Sequence, residues 1–427
     1  MSRPRATQPA PNAVRHVIVM LGLVIAGQLA GAFAQQELNA LLIGGLDHQE
    51  VFEALIPICE EELGIRVEWS SLPRDQLVIR ATTLGQARSD LVDVYSTHFS
   101  TVPQFFEFLE PLQDHFDQAT LDDFLPASID PAIIDGDLYQ IPRYFDARMM
   151  FYRTDIFDEA GLALPTNWEE LLETALALND PNEGRYGLVQ VGQGNAVMRH
   201  FSDFLWQAGG DFLDEEFRPI FNQSAGVEAL QFLVDLVHVH QVVPPGSVGF
   251  GWTEARTIFA QGAGAMHYDW PSAPPHFDDP TRSVVAGLYS FAPIPGFRTD
   301  ISTAVSHGFG INRYSSQKEL ATEFITCMTS TDQQQREYGV RGTLPARRSA
   351  IELVVDAADG LEKERLQALE AIVESGRSWP AIAEMAQVER VIADELERAL
   401  IRAKTPQQAL DDAARSVEAI LSEAGYY

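Results

Sequence analysis

Short apolar runs alternate with amphipathic helical stretches along this chain, and that alternation constrains the fold more than any other feature. Leu38–Ile43 reads as a strand and Gly44-Gly45 as a turn. Gln49–Glu62 reads as a helix, with Val51, Phe52, Leu55, Ile56 and Cys59 on one side, and Pro57 is expected to kink or interrupt it. Ile65–Trp69 and Leu91–Tyr95 read as the next strands. Strands that alternate with helices predict an α/β fold on a mostly parallel sheet covered on both faces. A chain of 427 residues exceeds one simple core, so two domains are expected.

Helix starts are marked locally. Thr166-Asn167-Trp168-Glu169 and Ser316-Gln317-Lys318-Glu319 read as capping boxes, in which a hydroxyl accepts from the backbone and the glutamate reaches back. Thr405-Pro406 opens the last helix, Ala409, Leu410, Ala413, Ala414, Val417 and Ile420 form its core stripe, and Gly425 ends it. There is no internal repeat or low-complexity linker, so short ordered crossings must join the domains.

Arg3, Arg5 and Arg15 precede an apolar run from Val17 to Leu29 and the small-residue triplet Ala32-Phe33-Ala34. This three-part pattern is a secretory signal over residues 1–34, with cleavage expected before Gln35. The apolar run is shorter than the ~20 residues of a spanning helix. No cysteine near the cleavage point could carry a lipid, so the mature chain is expected free in the periplasm. The formal charge of the full chain, −31, repels phosphate backbones and anionic membranes, which argues against nucleic-acid or membrane partners.

The candidate chemistry is sparse. Asp122-Asp123, Asp214-Glu215-Glu216, Asp278-Asp279 and Asp411-Asp412 sit beside turn or helix-start signals, where acids cap and stay solvated. His238 and His240 lie two apart in an expected helix over Val227–Gln241, so they face different ways and cannot chelate together. The two cysteines form no metal cluster, and neither a metal nor a cofactor is expected. No nucleophile elbow, Walker loop, dinucleotide fingerprint or zinc-protease motif occurs, so nothing points to an enzyme. Trp206, Trp252, Trp270 and Trp379 lie outside long apolar stripes. Trp270 follows Gly264–Asp269 and precedes Pro271, at a strand end where α/β folds gather ligand residues.

A series of weak motifs in one order then carries a resemblance. These are Asp137–Pro142, Phe145-Asp146-Ala147-Arg148, Phe151–Asp155, Gly161–Trp168, Gln207-Ala208-Gly209-Gly210, Phe259–Gly262 with Ala265-Met266 and Trp270, and Gly342–Arg347. Nearly end to end, the chain resembles the extracellular solute-binding proteins of ABC importers, in the branch of the maltose- and trehalose-binding proteins. The resemblance implies a two-lobed periplasmic-binding-protein fold with a hinge crossed several times and a ligand cleft between the lobes. It implies lobe I over 35–147 and 303–346, and lobe II over 148–302 and 347–427. It implies capture of a carbohydrate (a mono- or oligosaccharide or a sugar alcohol), no catalysis, a monomer, and delivery to ABC permease subunits in the inner membrane.

Carried over residue by residue, the implied ligand set is Asp47, His98, Tyr144, Asp146, Trp270, His307 and Trp379. Asp146 falls where relatives place a carboxylate on sugar hydroxyls, with Tyr144 beside it. Trp270 falls where they stack an aromatic ring, Asp47 follows the first strand, and Trp379 lies in the segment that caps the cleft. His98 and Ser306-His307 depart from the family pattern. A carboxylate can accept two hydroxyl bonds, and an indole covers a C–H face. The same fold could carry another solute, such as a phosphorylated polyol or a polyamine; a ferric site would want paired mid-chain tyrosines, and Tyr426-Tyr427 ends the chain. A secreted glycosidase is the remaining alternative. Cys59 and Cys327 would both lie in lobe I on apolar helix faces, where free thiols are expected rather than a disulfide.

Overall fold

The computed structural model describes residues 36–427, except 361, 362, 364, 365, 367–371 and 373–375 and the side chains of Leu46, Asp47 and Asp75. The leader expected over 1–34 lies outside the described residues. In chain order the strands are β1 (Glu37–Ile43), β2 (Arg66–Leu72), β3 (Val94–His98), β4 (Ile133–Ile134), β5 (Asp137–Leu138), β6 (Ile141–Ala147) and β7 (Met149–Arg153). They continue as β8 (Tyr186–Val189), β9 (Gly264–Asp269), β10 (Tyr289–Ala292), β11 (Ser302–Ile311), β12 (Leu344–Pro345) and β13 (Gly376–Arg377).

Two sheets organise the two lobes. The larger has the order β12-β6-β11-β3-β1-β2, with β13 beside β11, and the smaller has the order β10-β7-β9-β8. Their central strands are covered on both faces: every residue of β6, β9 and β11 is buried. Helices therefore cover both sides, as the alternation predicts. The expectation of mostly parallel sheets is corrected. β2, β1 and β3 are parallel, but β11 runs antiparallel to both β3 and β6, and β7 runs antiparallel to β9 and β10. The reversed strands are those by which the chain enters or leaves a lobe, a direction that local apolar patterning does not encode.

The crossings are short. Arg148 alone separates β6 of the larger sheet from β7 of the smaller one. The chain returns between β10 and β11, where the Arg148 backbone N–H donates to the Thr303 carbonyl at 2.8 Å. The buried Asp203 holds both strands: it pairs with the Arg148 guanidinium at 3.1 Å and accepts from the Thr303 N–H at 2.7 Å. The third passage lies near β13, whose Gly376 pairs with Ser302. The helix Arg348–Ala357 still packs on the Thr331–Arg341 helix and on β12. The last two helices, Met385–Leu400 and Pro406–Ala424, pack on each other and on the helices Gly194–Gln207 and Ser224–His238.

Several local expectations shift. The first helix spans Leu46–Leu63 without interruption at Pro57. The strand expected at Leu91–Tyr95 begins at Val94, because Leu91 sits exposed in a bend. The strand expected at Ile65–Trp69 spans Arg66–Leu72, and the helix expected at Val227–Gln241 spans Ser224–His238. The capping box at Thr166 is displaced by one residue: Asn167 is the cap, accepting from the Glu170 N–H, while Glu170 reaches back to Thr166. The helix expected to start with a box at Ser316 begins at Lys318 with no side-chain cap. The helix start at Thr405-Pro406 stands, the structure adds a capping box there closed by Gln408, and Gly425 ends that helix in the left-handed region.

The free-thiol expectation is overturned. Cys59 and Cys327 form a disulfide that joins the Leu46–Leu63 and Lys318–Met328 helices across a sequence separation of 268 residues. The two apolar helix faces that suggested separate buried thiols pack against each other. Among the described residues, no helix is long and apolar enough to cross a membrane.

Candidate functional site

Three neighbouring strands of the larger sheet build one wall of a cavity of about 230 Å³. β11 lies between β3 and β6, and its register sets His307 opposite His98 on one side and Tyr144 on the other. The ring centroids of these pairs are 4.4 Å and 4.5 Å apart. Side chains two residues apart share a face, so Val305 and its partner Asp146 extend the same wall. The register of β11 against β6 slips between His307 and Gly308, where a side chain would meet the Ile141 carbonyl oxygen at 2.1 Å. Glycine lets the two backbones approach at that slip.

Helix termini complete this side. His48, in the first turn of the Leu46–Leu63 helix, stands 5.6 Å from His307 and 6.1 Å from Tyr144 between ring centroids. Arg341, the last residue of its helix, places its guanidinium 5.0 Å over the Tyr144 ring and Nη1 3.3 Å from His48 Nδ1. Arg74 comes from the start of the Arg74–Gln86 helix.

The opposite wall belongs to the smaller sheet. Trp270 follows the last residue of β9, and its backbone N–H donates to Asp269 at 2.7 Å. Two bonds of 2.8 Å from Arg256 clamp Asp269, and His267 lies 3.0 Å from it. Burial alone would raise this carboxyl; Arg256 and His267 hold it far below the ordinary range. Trp252 stands edge-on to Trp270 at 6.0 Å, with the Arg148 guanidinium 4.8 Å from its ring. Ser272, Asn195 and Arg199 complete the lining.

Of the seven residues expected from the sequence, the cavity is lined by His98, Tyr144, Asp146, Trp270 and His307. The Asp47 side chain lies outside the described residues. Trp379 does not line the cavity. It is buried behind Arg199, stacked near Phe99, and donates its indole N–H to Ser202 at 2.8 Å. The Arg199 guanidinium rests 3.6 Å from its ring centroid while pairing with Glu389 at 2.5 Å, so Trp379 packs against a cavity-lining arginine from behind. Sequence reasoning missed His48, Arg74, Asn195, Arg199, Ser272 and Arg341, and it singled out Trp252 only as an unplaced aromatic.

Burial depresses the imidazoles of His48, His98 and His307 well below the usual histidine value, and neighbouring arginines or histidines add to the effect. All three rings are neutral at pH 7 and can each donate and accept. The Ser100 N–H donates to His98 Nδ1, which leaves Nε2 as the protonated nitrogen. Burial pushes the Asp146 carboxyl up to about 6, against the pull of Arg341. Asp146 Oδ1, His307 Nδ1 and Arg199 Nη1 are buried with no hydrogen-bond partner in the protein. Buried polar atoms are nearly always satisfied, so this cluster of orphans on one cavity is suited to a polyhydroxylated guest.

The profile of the bacterial extracellular solute-binding proteins matches residues 46–335. A probable amino-acid ABC transporter periplasmic-binding protein of Sinorhizobium fredii is 26% identical, over 94% of this chain and 93% of that protein. The mannitol-binding protein of Pseudomonas aeruginosa is 32% identical over 52% of each chain. Among solved structures, maltose-bound T. maritima MalE3 superposes with a TM-score of 0.77 at 27% identity, covering 90% of this chain and 99% of that one.

Proposed function

We propose that this chain, which belongs to the bacterial extracellular solute-binding proteins, captures a small carbohydrate or sugar alcohol in its cleft for an ABC importer. The observation that carries the reading is the pairing of Asp146, an unsatisfied buried carboxylate on one lobe, with Trp270 and Trp252 on the other. Sugar hydroxyls fit the first and sugar C–H faces fit the second. The named ligands of two similar proteins, mannitol and maltose, are of this class. A cavity of about 230 Å³ lies below the usual ~300–1,000 Å³ of drug-sized sites, which favours a single ring or an open polyol over a long oligosaccharide. Among the described residues that line the cavity, Asp146 is the one carboxylate.

In this reading lobe I comprises 36–147 and 302–357, since the Arg348–Ala357 helix packs with the larger sheet, and lobe II comprises 148–301 with the C-terminal helices from 385. Ligand contacts bridge the two lobes only when the cleft is closed, so binding shifts the population toward closure, and the permease reads the closed form. The protein acts as a monomer after export and cleavage before Gln35. Mass spectrometry of the exported protein should find Gln35 at its N-terminus, and an intact Met1 would contradict this.

Trp270 tests the reading. The sugar that binds should change the tryptophan emission of the wild type, because a half-exposed indole becomes dry. Trp270→Ala should lose most of that change and bind about 10- to 100-fold more weakly, the scale set by losing an aromatic contact. A variant that melts earlier yet binds sugar normally would make Trp270 a structural residue only.

A further inference from the structure

The cavity wall inverts the sign of the chain. The protein carries a formal charge of −31, yet three guanidiniums, those of Arg74, Arg199 and Arg341, line the cavity, against one described carboxylate, Asp146. Glu389 meets Arg199 through Nη2 from behind the wall, while Nη1 of Arg199 and Nε of Arg341 are buried with no hydrogen-bond partner in the protein. Arg199 is 7% exposed and lies against Trp379, which fixes its plane. A guanidinium held flat directs its remaining N–H groups in a fixed plane, and a charge-assisted bond from them to an oxyanion is stronger than one to a neutral hydroxyl. An oxyanion would supply the partner that Arg199 Nη1 and Arg341 Nε lack, beyond the counter-charges that Glu389 and Asp146 already give.

We propose that the solute is an anionic sugar: a polyol or single sugar ring bearing an oxyanion, either a carboxylate or a phosphate ester. Its oxyanion sits against Arg199 and Arg341, with Arg74 at the rim, and its hydroxyls meet Asp146 and the imidazoles of His48, His98 and His307. The proposal deepens the carbohydrate reading and rests on it. The same wall disfavours a polyamine, whose cations would face three arginines.

Calorimetry at low salt separates the possibilities with sodium gluconate, sodium glucuronate, sorbitol 6-phosphate, glucose, sorbitol, mannitol and glutamate as probes. At least one anionic sugar should bind ten-fold or more tighter than its neutral counterpart, and the carboxylate and phosphate arms identify the oxyanion. Arg341→Gln and Arg199→Gln should each weaken the anionic probe about 10- to 100-fold, and should weaken it by a larger factor than a neutral one. Circular dichroism checks that each variant is folded, and two separate variants guard against a single failure. Neutral sugars bound as tightly as anionic ones would overturn the anionic assignment and leave the carbohydrate reading intact. An anionic preference untouched in both variants would overturn the role of these arginines. Binding of glutamate alone, or of no probe, would overturn both readings.

Discussion

Asp146→Asn should weaken sugar binding by about 2–3 kcal/mol, the value of hydrogen bonds to a charged acceptor, and yet stabilise the empty protein at neutral pH. The two effects have one origin. Asp146 is 7% exposed, its Oδ1 has no protein partner, and burial lifts its carboxyl to about 6. An unfolded aspartate titrates near 3.9. Between these values the folded state holds the extra proton, so this group's contribution to stability is present at low pH and is lost as pH rises from about 4 to about 6. Above that window the ionised carboxylate costs the fold roughly 1–3 kcal/mol, which the neutral amide avoids. Sugar affinity should run the other way in the wild type and fall as pH drops below about 6. Melting curves and titrations at pH 4.5, 6 and 7.5 check both halves. A variant that binds normally, or one that is destabilised at pH 7.5, would show that Asp146 is a structural residue.

Removing the disulfide should be the largest single loss of stability. Cys59 and Cys327 are separated by 268 residues, and removing a native disulfide typically costs about 2–5 kcal/mol. Cys59→Ala with Cys327→Ala should therefore shift chemical denaturation by about that amount. Neither cysteine lines the cavity, so affinity measured on the folded variant should be unchanged. Thiol titration of the unreduced, denatured wild type should find no free groups. Two free thiols, or an unchanged denaturation midpoint, would count against the bridge.

The parts of the site that were legible in the sequence lie on strands. Tyr144 and Asp146 alternate in one extended segment, and His98 and His307 lie in two others, each placed by the family likeness of the motifs around it. Trp270 was legible because it ends an apolar run. The unseen residues come from helix ends. Arg341 before Gly342 reads as an ordinary basic last turn, and nothing local distinguishes Arg74 or Arg199 from a solvated arginine. Their role follows only when the starts of two helices and the end of a third converge on one strand edge. Trp379 was placed in the right segment but not on the cleft, because a ring that supports an arginine looks in sequence like a ring that meets a ligand. The disulfide was hidden for a related reason. Each cysteine shows an apolar helix face, and the packing of those faces is a long-range fact.

The central claim, that the cleft between the two lobes binds a small carbohydrate, is tested most directly by titrating the wild-type protein with monosaccharides, sugar acids and alditols in a calorimeter. The account predicts saturable one-to-one binding of at least one of them, with a negative heat-capacity change from closure over Trp252 and Trp270, and a clear weakening of that binding in Asp146→Asn. Saturable binding of a non-carbohydrate solute with none for any sugar, or sugar binding unaltered in Asp146→Asn, would contradict it.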